Sequence, residues 1–170
     1  MRVKFVRNIL IFATLVASAT AQVTSISLDE GDIFPEIMFT TVDGELLTTE
    51  KLSGKVVFYN FYFAACPPCI AQKSGLNALH DRFRANDDVV FISVTFDNYE
   101  TIKQFQETHG KRFKVVSTNR NEIRRFAVGA YPTNILVGVD GKVVLKMVGG
   151  RGNRVRNQFS AAIQSELRKI

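Results

Sequence analysis

Lys55–Cys69 reads KVVFYNFYFAACPPC, and the expected fold grows outward from it. Lys55–Phe63 is nearly all apolar, as a central strand covered on both faces would be. Cys66-Pro67-Pro68-Cys69 follows and holds both cysteines of the 170-residue chain. A helix is expected over Pro67–Arg84, with Cys69, Leu76, Leu79 and Phe83 on or near one stripe. Pro67 and Pro68 are tolerated at its start, because the first turn donates no intrahelical N–H bonds. Two thiols at such a strand-to-helix junction can close a small disulfide ring and reopen it without unfolding the chain. A cysteine at the helix tip meets free N–H groups and the positive dipole end, which favour thiolate, the attacking form in disulfide exchange. A purely structural staple fits poorly. A two-residue clip removes little unfolded-chain entropy, and no third cysteine offers another pairing.

Upstream, Gly31–Thr48 reads as two short strands, around Glu36–Thr40 and Glu45–Leu47, joined by the Asp43-Gly44 turn. Downstream, Val89–Phe96 is a second buried strand. A helix capped by Asp97 or Asn98 runs to His109 with Tyr99, Ile102 and Phe105 inward, and Gly110 stops it. Phe113–Val116 is a strand and Asn121–Val128 a short helix. Thr133–Val139 and Lys142–Val148 form a hairpin about Asp140-Gly141. Asn153–Lys169 closes the chain as a helix with Val155, Phe159, Ile163 and Leu167 spaced four apart. This order implies an α/β fold: a mixed central sheet flanked by helices, with the cysteines at its carboxyl edge.

The first 21 residues read as a secretory signal peptide. Arg2, Lys4 and Arg7 precede the short apolar run Ile9–Val16, and Ala19-Thr20-Ala21 offers a cleavage site. Residues 22–170 then form one domain, with residues 23–28 a loosely held leader and no transmembrane segment after the signal is removed. The expected location is periplasmic or secreted. Three bases leave with the signal, half of the formal +6, so nothing argues for nucleic acid.

The mature region resembles the thioredoxin-like, AhpC/TSA-related oxidoreductases of the TlpA/ResA type. Gly31-Asp32-Ile33-Phe34-Pro35 with Asp43-Gly44 is similar to their N-terminal hairpin extension, and Val56–Cys69 to their central strand and active site. Tyr131-Pro132-Thr133 is similar to their cis-proline loop, and Asp140-Gly141-Lys142 to their last hairpin. The resemblance implies a thioredoxin-like fold and an exported thiol–disulfide oxidoreductase. Its cofactor is the redox-active disulfide Cys66–Cys69 itself, with no metal. Cys66 would be the exposed attacking residue and Cys69 the buried resolving one. Tyr131, cis-Pro132 and Thr133 would lie beside the disulfide, where an extended substrate segment pairs, with Pro67 and Pro68 in support. The implied partners are disulfide-bearing exported proteins, apocytochrome c among the candidates, and a membrane thiol electron donor.

Three positions depart from that pattern. Ala65 stands where a tryptophan is common, Gln72 replaces a glutamate, and Asn60 holds the place of a buried aspartate. With Asn60 and Gln72 uncharged, neither can carry a proton to Cys69, and the task falls to solvent or to the substrate thiol. Pro67 and Pro68 also remove two potential N–H donors to a Cys66 thiolate. Less thiolate stabilisation implies a more reducing pair than the strong oxidants at about −120 mV, where ~30 mV corresponds to about 1.4 kcal/mol.

Rival readings differ in what they require. A peroxiredoxin-class peroxidase needs a hydroxyl residue and a proline upstream of the cysteine, where Phe63 and Tyr59 stand. A copper or zinc module would join the two thiolates to His80 or His109. His80 lies too far along its helix, and His109 suits a helix end. A domain kept for protein binding alone would not need an intact cysteine pair.

Overall fold

The computed structural model describes residues 27–110 and 112–170. The proposed signal peptide and most of the leader lie outside them. The elements are β1 (Met38–Thr40), β2 (Leu46–Thr48), α1 (Thr49–Leu52), β3 (Val56–Phe61), α2 (Pro67–Phe83), β4 (Val89–Thr95), α3 (Tyr99–His109), β5 (Lys114–Ser117), α4 (Arg120–Arg124), β6 (Thr133–Val137), β7 (Val143–Val148) and α5 (Gly152–Leu167). Five strands form one mixed sheet in the order β5-β4-β3-β6-β7. β3 runs parallel to β4 and antiparallel to β6, so the strand that carries the cysteines is the middle one. β1 and β2 form the N-terminal hairpin, tied to the β5 edge by a Thr41–Val116 bridge.

Strand alternation sorts the core. Val57, Tyr59 and Phe61 face one side with Ile92, Val94 and Ile135, covered by Phe34, Ile37 and Phe39 of the N-terminal segment and by Ile123 and Phe126. Val56 and Phe58 face the other, under Leu76, Leu79 and Phe83 of α2 and Val155, Phe159 and Ile163 of α5. The same alternation turns Asn60 toward α2, the side of the redox helix. Every residue of β3 is buried, as its unbroken apolar run requires.

α2 and α5 meet through glycine. A Cβ on Gly75 would lie 2.1 Å from the Gly152 carbonyl oxygen, a backbone atom that cannot swing aside. Alanine in a helix ordinarily gains ~1 kcal/mol over glycine, whereas forcing extra volume into a packed interface costs about 1–3 kcal/mol or more. Gly75→Ala is therefore expected to lower the thermal midpoint. A midpoint above wild type would show that the two helices can part cheaply.

Several sequence expectations are corrected. Tyr99 is 57% exposed rather than inward: it is the first residue of α3, and the inward face is carried by Ile102 and Phe105. Leu28 is not loose. It is buried in the core, and its carbonyl accepts a hydrogen bond from Lys146 Nζ at 2.9 Å. The helix expected over Asn121–Val128 ends at Arg124, and Ala127 takes a left-handed φ of 51°. α1 was not anticipated; it is a single turn capped by Thr48.

Candidate active site

β3 delivers the chain to the sheet's carboxyl edge, where the Tyr62 N–H donates to the Val94 carbonyl. The chain turns there, with the Cys66 N–H donating to Phe63 O at 3.2 Å, and α2 begins. Cys66 is the N-cap residue in extended conformation, followed by the two prolines at the first helical positions. Its Sγ accepts the Cys69 N–H at 3.2 Å. With Pro67 and Pro68 lacking donors, the third position supplies the cap bond that serine or aspartate would normally receive. Cys66 and Cys69 are joined as a disulfide, with Cα atoms 5.2 Å apart.

The cis-proline loop reaches the same place. The Tyr131–Pro132 bond is cis, and the Tyr131 side chain packs against the cluster of Tyr62, Cys66, Cys69 and Phe105, together with Phe63 and Ala64. Pro132 is buried and its carbonyl accepts from the Gly149 N–H at 2.8 Å. Thr133 is also buried, and its hydroxyl donates to Ala130 O at 2.7 Å, bracing the loop. Ala65, Pro67 and Pro68 are exposed around the disulfide.

The exposed Cys66 that the resemblance implies is not found. Cys66 is 1% exposed and Cys69 4%. The reason is local: Tyr62, Phe105, Phe63 and Tyr131 pack around the disulfide. Phe63, Phe96 and Tyr131 form a mutually packed aromatic triad with ring centroids 5.4–5.7 Å apart. On the α3 side, Asp97 Oδ2 accepts from the Ala64 N–H at 2.7 Å and from the Thr95 hydroxyl at 2.8 Å, fixing the loop before Cys66. Burial, then the charge of Asp97, pushes the Tyr62 phenol up.

Beneath the cysteines runs a ladder of neutral amides. Ser93, Asn60 and Asn134 face one another in register across β4, β3 and β6. The Ser93 hydroxyl donates to Asn60 Oδ1 at 3.5 Å, Asn60 Nδ2 to Asn134 Oδ1 at 2.9 Å, and Asn134 Nδ2 to Gln72 Oε1 at 3.1 Å. Gln72 Nε2 then donates to the Gly149 and Gly150 carbonyls, the latter at 2.8 Å. Gln72 and Asn134 are fully enclosed. The two departures noted in the sequence, Asn60 and Gln72, thus belong to one structure, joined by Asn134. A polar residue at the head of the apolar strand Thr133–Val137 was the available signal for it. Phe63, Phe96 and Phe105 carried none, since aromatic residues in such positions read as ordinary core.

A cation also stands near. Lys73 Nζ lies over the Phe105 and Phe113 rings, 5.5 and 5.3 Å from their centroids. Burial, then the Arg112 charge, brings it down to about 8. The His80 ring packs on Phe91 and Phe113, and the His109 ring on Phe105. Among the described residues, no group of three or more His, Cys, Asp and Glu gathers as a metal ion would require.

Comparison with known proteins agrees with this geometry. Residues 31–146 match the model of the AhpC/TSA family. The chain is 30% identical over 138 residues to the thiol-disulfide oxidoreductase ResA of Bacillus thuringiensis, covering 80% of this chain and 75% of that one. It is 27% identical over 125 residues to ResA of Bacillus subtilis, covering 72% and 69%. Among solved structures it is similar to a thiol:disulfide interchange protein of the thioredoxin family from Chlorobium tepidum, with a TM-score of 0.69, 21% identity, and coverage of 84% and 99%. A thiol:disulfide interchange protein from Bacteroides sp. gives a TM-score of 0.69 at 23% identity, over 82% and 93% of the two chains. A central mixed sheet, a cysteine pair at the tip of its middle strand and these relatives together place the chain in the AhpC/TSA family, as a thiol–disulfide oxidoreductase of the ResA type with a thioredoxin fold.

Proposed function

We propose that residues 1–21 export the protein, that residues 22–170 act in the periplasm or outside the cell, and that the domain reduces disulfides in other exported proteins. The observation that carries the reading is the position of Cys66: N-cap of α2, bonded to Cys69, and packed against the residue that precedes the cis-proline. The Cys66 thiolate attacks one sulfur of a client disulfide. The client S–S bond breaks, one client thiolate leaves and takes a proton, and a mixed disulfide remains. Cys69 then loses its proton and attacks Cys66 Sγ. The second client thiolate leaves, two electrons have passed to the client, and the Cys66–Cys69 bond is restored. A dithiol donor, from the membrane in this reading, runs the sequence backwards to recharge the pair. Burial of the disulfide sets a condition on that recharging, because the donor must first loosen the packing around it. Once reduced, Cys66 is freed from the bond and can turn toward the exposed Ala65–Pro67 edge.

The direction of electron flow rests on the single N–H at Cys66 Sγ. One donor stabilises the thiolate less than a full helix tip, which favours the disulfide form and a reducing potential. Equilibration against glutathione or dithiothreitol is expected to give a potential well below about −120 mV. A value near that figure reverses the direction and makes the protein an oxidant. Rapid peroxide consumption by the reduced protein would instead favour the peroxidase reading.

A further inference from the structure

Resting on the thiol–disulfide reading, we infer that the clients carry acidic residues beside the cysteine that this site attacks, recognised by Arg120 and Arg124 on α4. Tyr131 packs on the disulfide cluster, Phe96 packs on Tyr131, and the Arg120 guanidinium lies 3.5 Å from the Phe96 ring centroid. Arg120 thus extends the aromatic platform that adjoins the disulfide. Stacking leaves its N–H groups free at the edge to receive a carboxylate.

Arg120 and Arg124 are exposed, and among the described residues neither forms an ion pair. Arg124 Nη1 reaches only the neutral Asn121 Oδ1, at 3.4 Å. The carboxylate on this helix, Glu122, is engaged by Arg125. Both unpaired cations act on the residue before the cis-proline: burial raises the Tyr131 phenol, and the Arg120 and Arg124 charges pull it back. The carboxylate on the other flank, Asp97, is turned onto the Ala64 N–H and the Thr95 hydroxyl. The α4 flank of the disulfide therefore presents two exposed cations, whereas the charges of the α3 flank, Asp97 and Lys73, are half-buried and opposite in sign. A client strand lying along the cis-proline loop meets positive potential there, which speeds association with an acidic segment and opposes a basic one.

Two peptides test this. Each is a dimer linked through one cysteine, identical except for three glutamates or three lysines next to it. At low salt the reduced protein is expected to reduce the acidic peptide with a kcat/KM about tenfold above the basic one, and the ratio should shrink toward one as ionic strength rises. In the Arg120→Glu, Arg124→Glu double variant the preference should invert. Equal kcat/KM for the two peptides in the wild-type protein overturns the inference, as does a preference unchanged in a folded double variant. Hydroxyethyl disulfide, small and uncharged, separates the two levels: failure to reduce it as well as both peptides sinks the thiol–disulfide reading, whereas its reduction without peptide preference sinks only the acidic-client inference. If the double variant fails to fold, the wild-type peptide ratio and its salt dependence still decide.

Discussion

Cys66→Ser is expected to abolish insulin-type disulfide reduction, leaving less than about one part in a thousand of wild-type kcat/KM, since a neutral hydroxyl cannot replace a thiolate nucleophile. Cys69→Ser should behave differently. On the proposed roles it keeps the attacking sulfur and loses the one that releases the client, so turnover should stop while mixed disulfides accumulate. The asymmetry follows from position. Cys66 is the residue before the helix, flanked by exposed Ala65 and Pro67, while Cys69 lies one turn in. Both sulfurs are buried in the disulfide form, so these roles require the Cys66 thiolate to become reachable once the bond is reduced. Non-reducing electrophoresis of the Cys69→Ser protein after exposure to an extract of exported proteins reads the outcome directly, as thiol-sensitive bands of higher mass. If Cys66→Ser rather than Cys69→Ser accumulates such adducts, the two roles are exchanged. Peroxide consumption that survives in Cys69→Ser would point to chemistry in which Cys66 acts without its neighbour.

What the sequence disclosed and what it withheld divide by range. Periodicity is local, so the runs Lys55–Phe63, Val89–Phe96, Thr133–Val139 and Lys142–Val148, and the four-residue spacing of Val155, Phe159 and Ile163, announced a helix and strands that end within two residues of those bounds. The Cys66–Cys69 pair and Tyr131-Pro132 were legible for the same reason: each is a short contiguous signal. One turn of helix at Thr49–Leu52 is too brief to show a period. The loss of helix after Arg124 depends on Ala127 adopting a left-handed φ, which no local rule for alanine foretells. Closure over Cys66 needs Phe63, Phe105 and Tyr131 to converge from three separate segments. The ladder is the extreme case. Asn60 and Asn134 are 74 positions apart, and Asn134 and Gln72 62 apart, so their individual lack of charge was visible but their union was not.

That union makes Gln72 the second site of large expected effect. Gln72→Leu conserves much of the side chain's volume but leaves three polar groups without the partner they have now: Asn134 Nδ2, Gly149 O and Gly150 O. Only the Asn134 amide among them is fully enclosed, while Gly149 is half-buried and Gly150 exposed, so water can replace part of what the carbonyls lose. At ~1–3 kcal/mol for a buried group so orphaned, the loss should be about 1–3 kcal/mol. Gln72→Glu tests the protonation of the ladder as well as its geometry. One carboxyl oxygen can still accept from Asn134, but the other faces two carbonyl oxygens and must carry a proton to donate to either. Its pKa in the folded state is therefore raised above the ~4.3 of an unfolded glutamate. By linkage, the variant is most stable at pH below that unfolded value and weakens as pH rises toward the folded one, because the unfolded chain releases the proton first. Denaturation series from pH 4 to pH 8 should show Gln72→Glu falling away from wild type as the pH climbs. The same proton should appear in the redox chemistry. A two-electron, two-proton couple shifts by about 59 mV per pH unit, twice the ~30 mV of a single tenfold change. A carboxyl whose pKa differs between the dithiol and disulfide states adds a bend that the amide does not. If Gln72→Glu tracks wild type in both stability and potential across that range, the chain of amides is incidental to the cysteines above it, and proton transfer at Cys69 does not depend on what occupies the ladder.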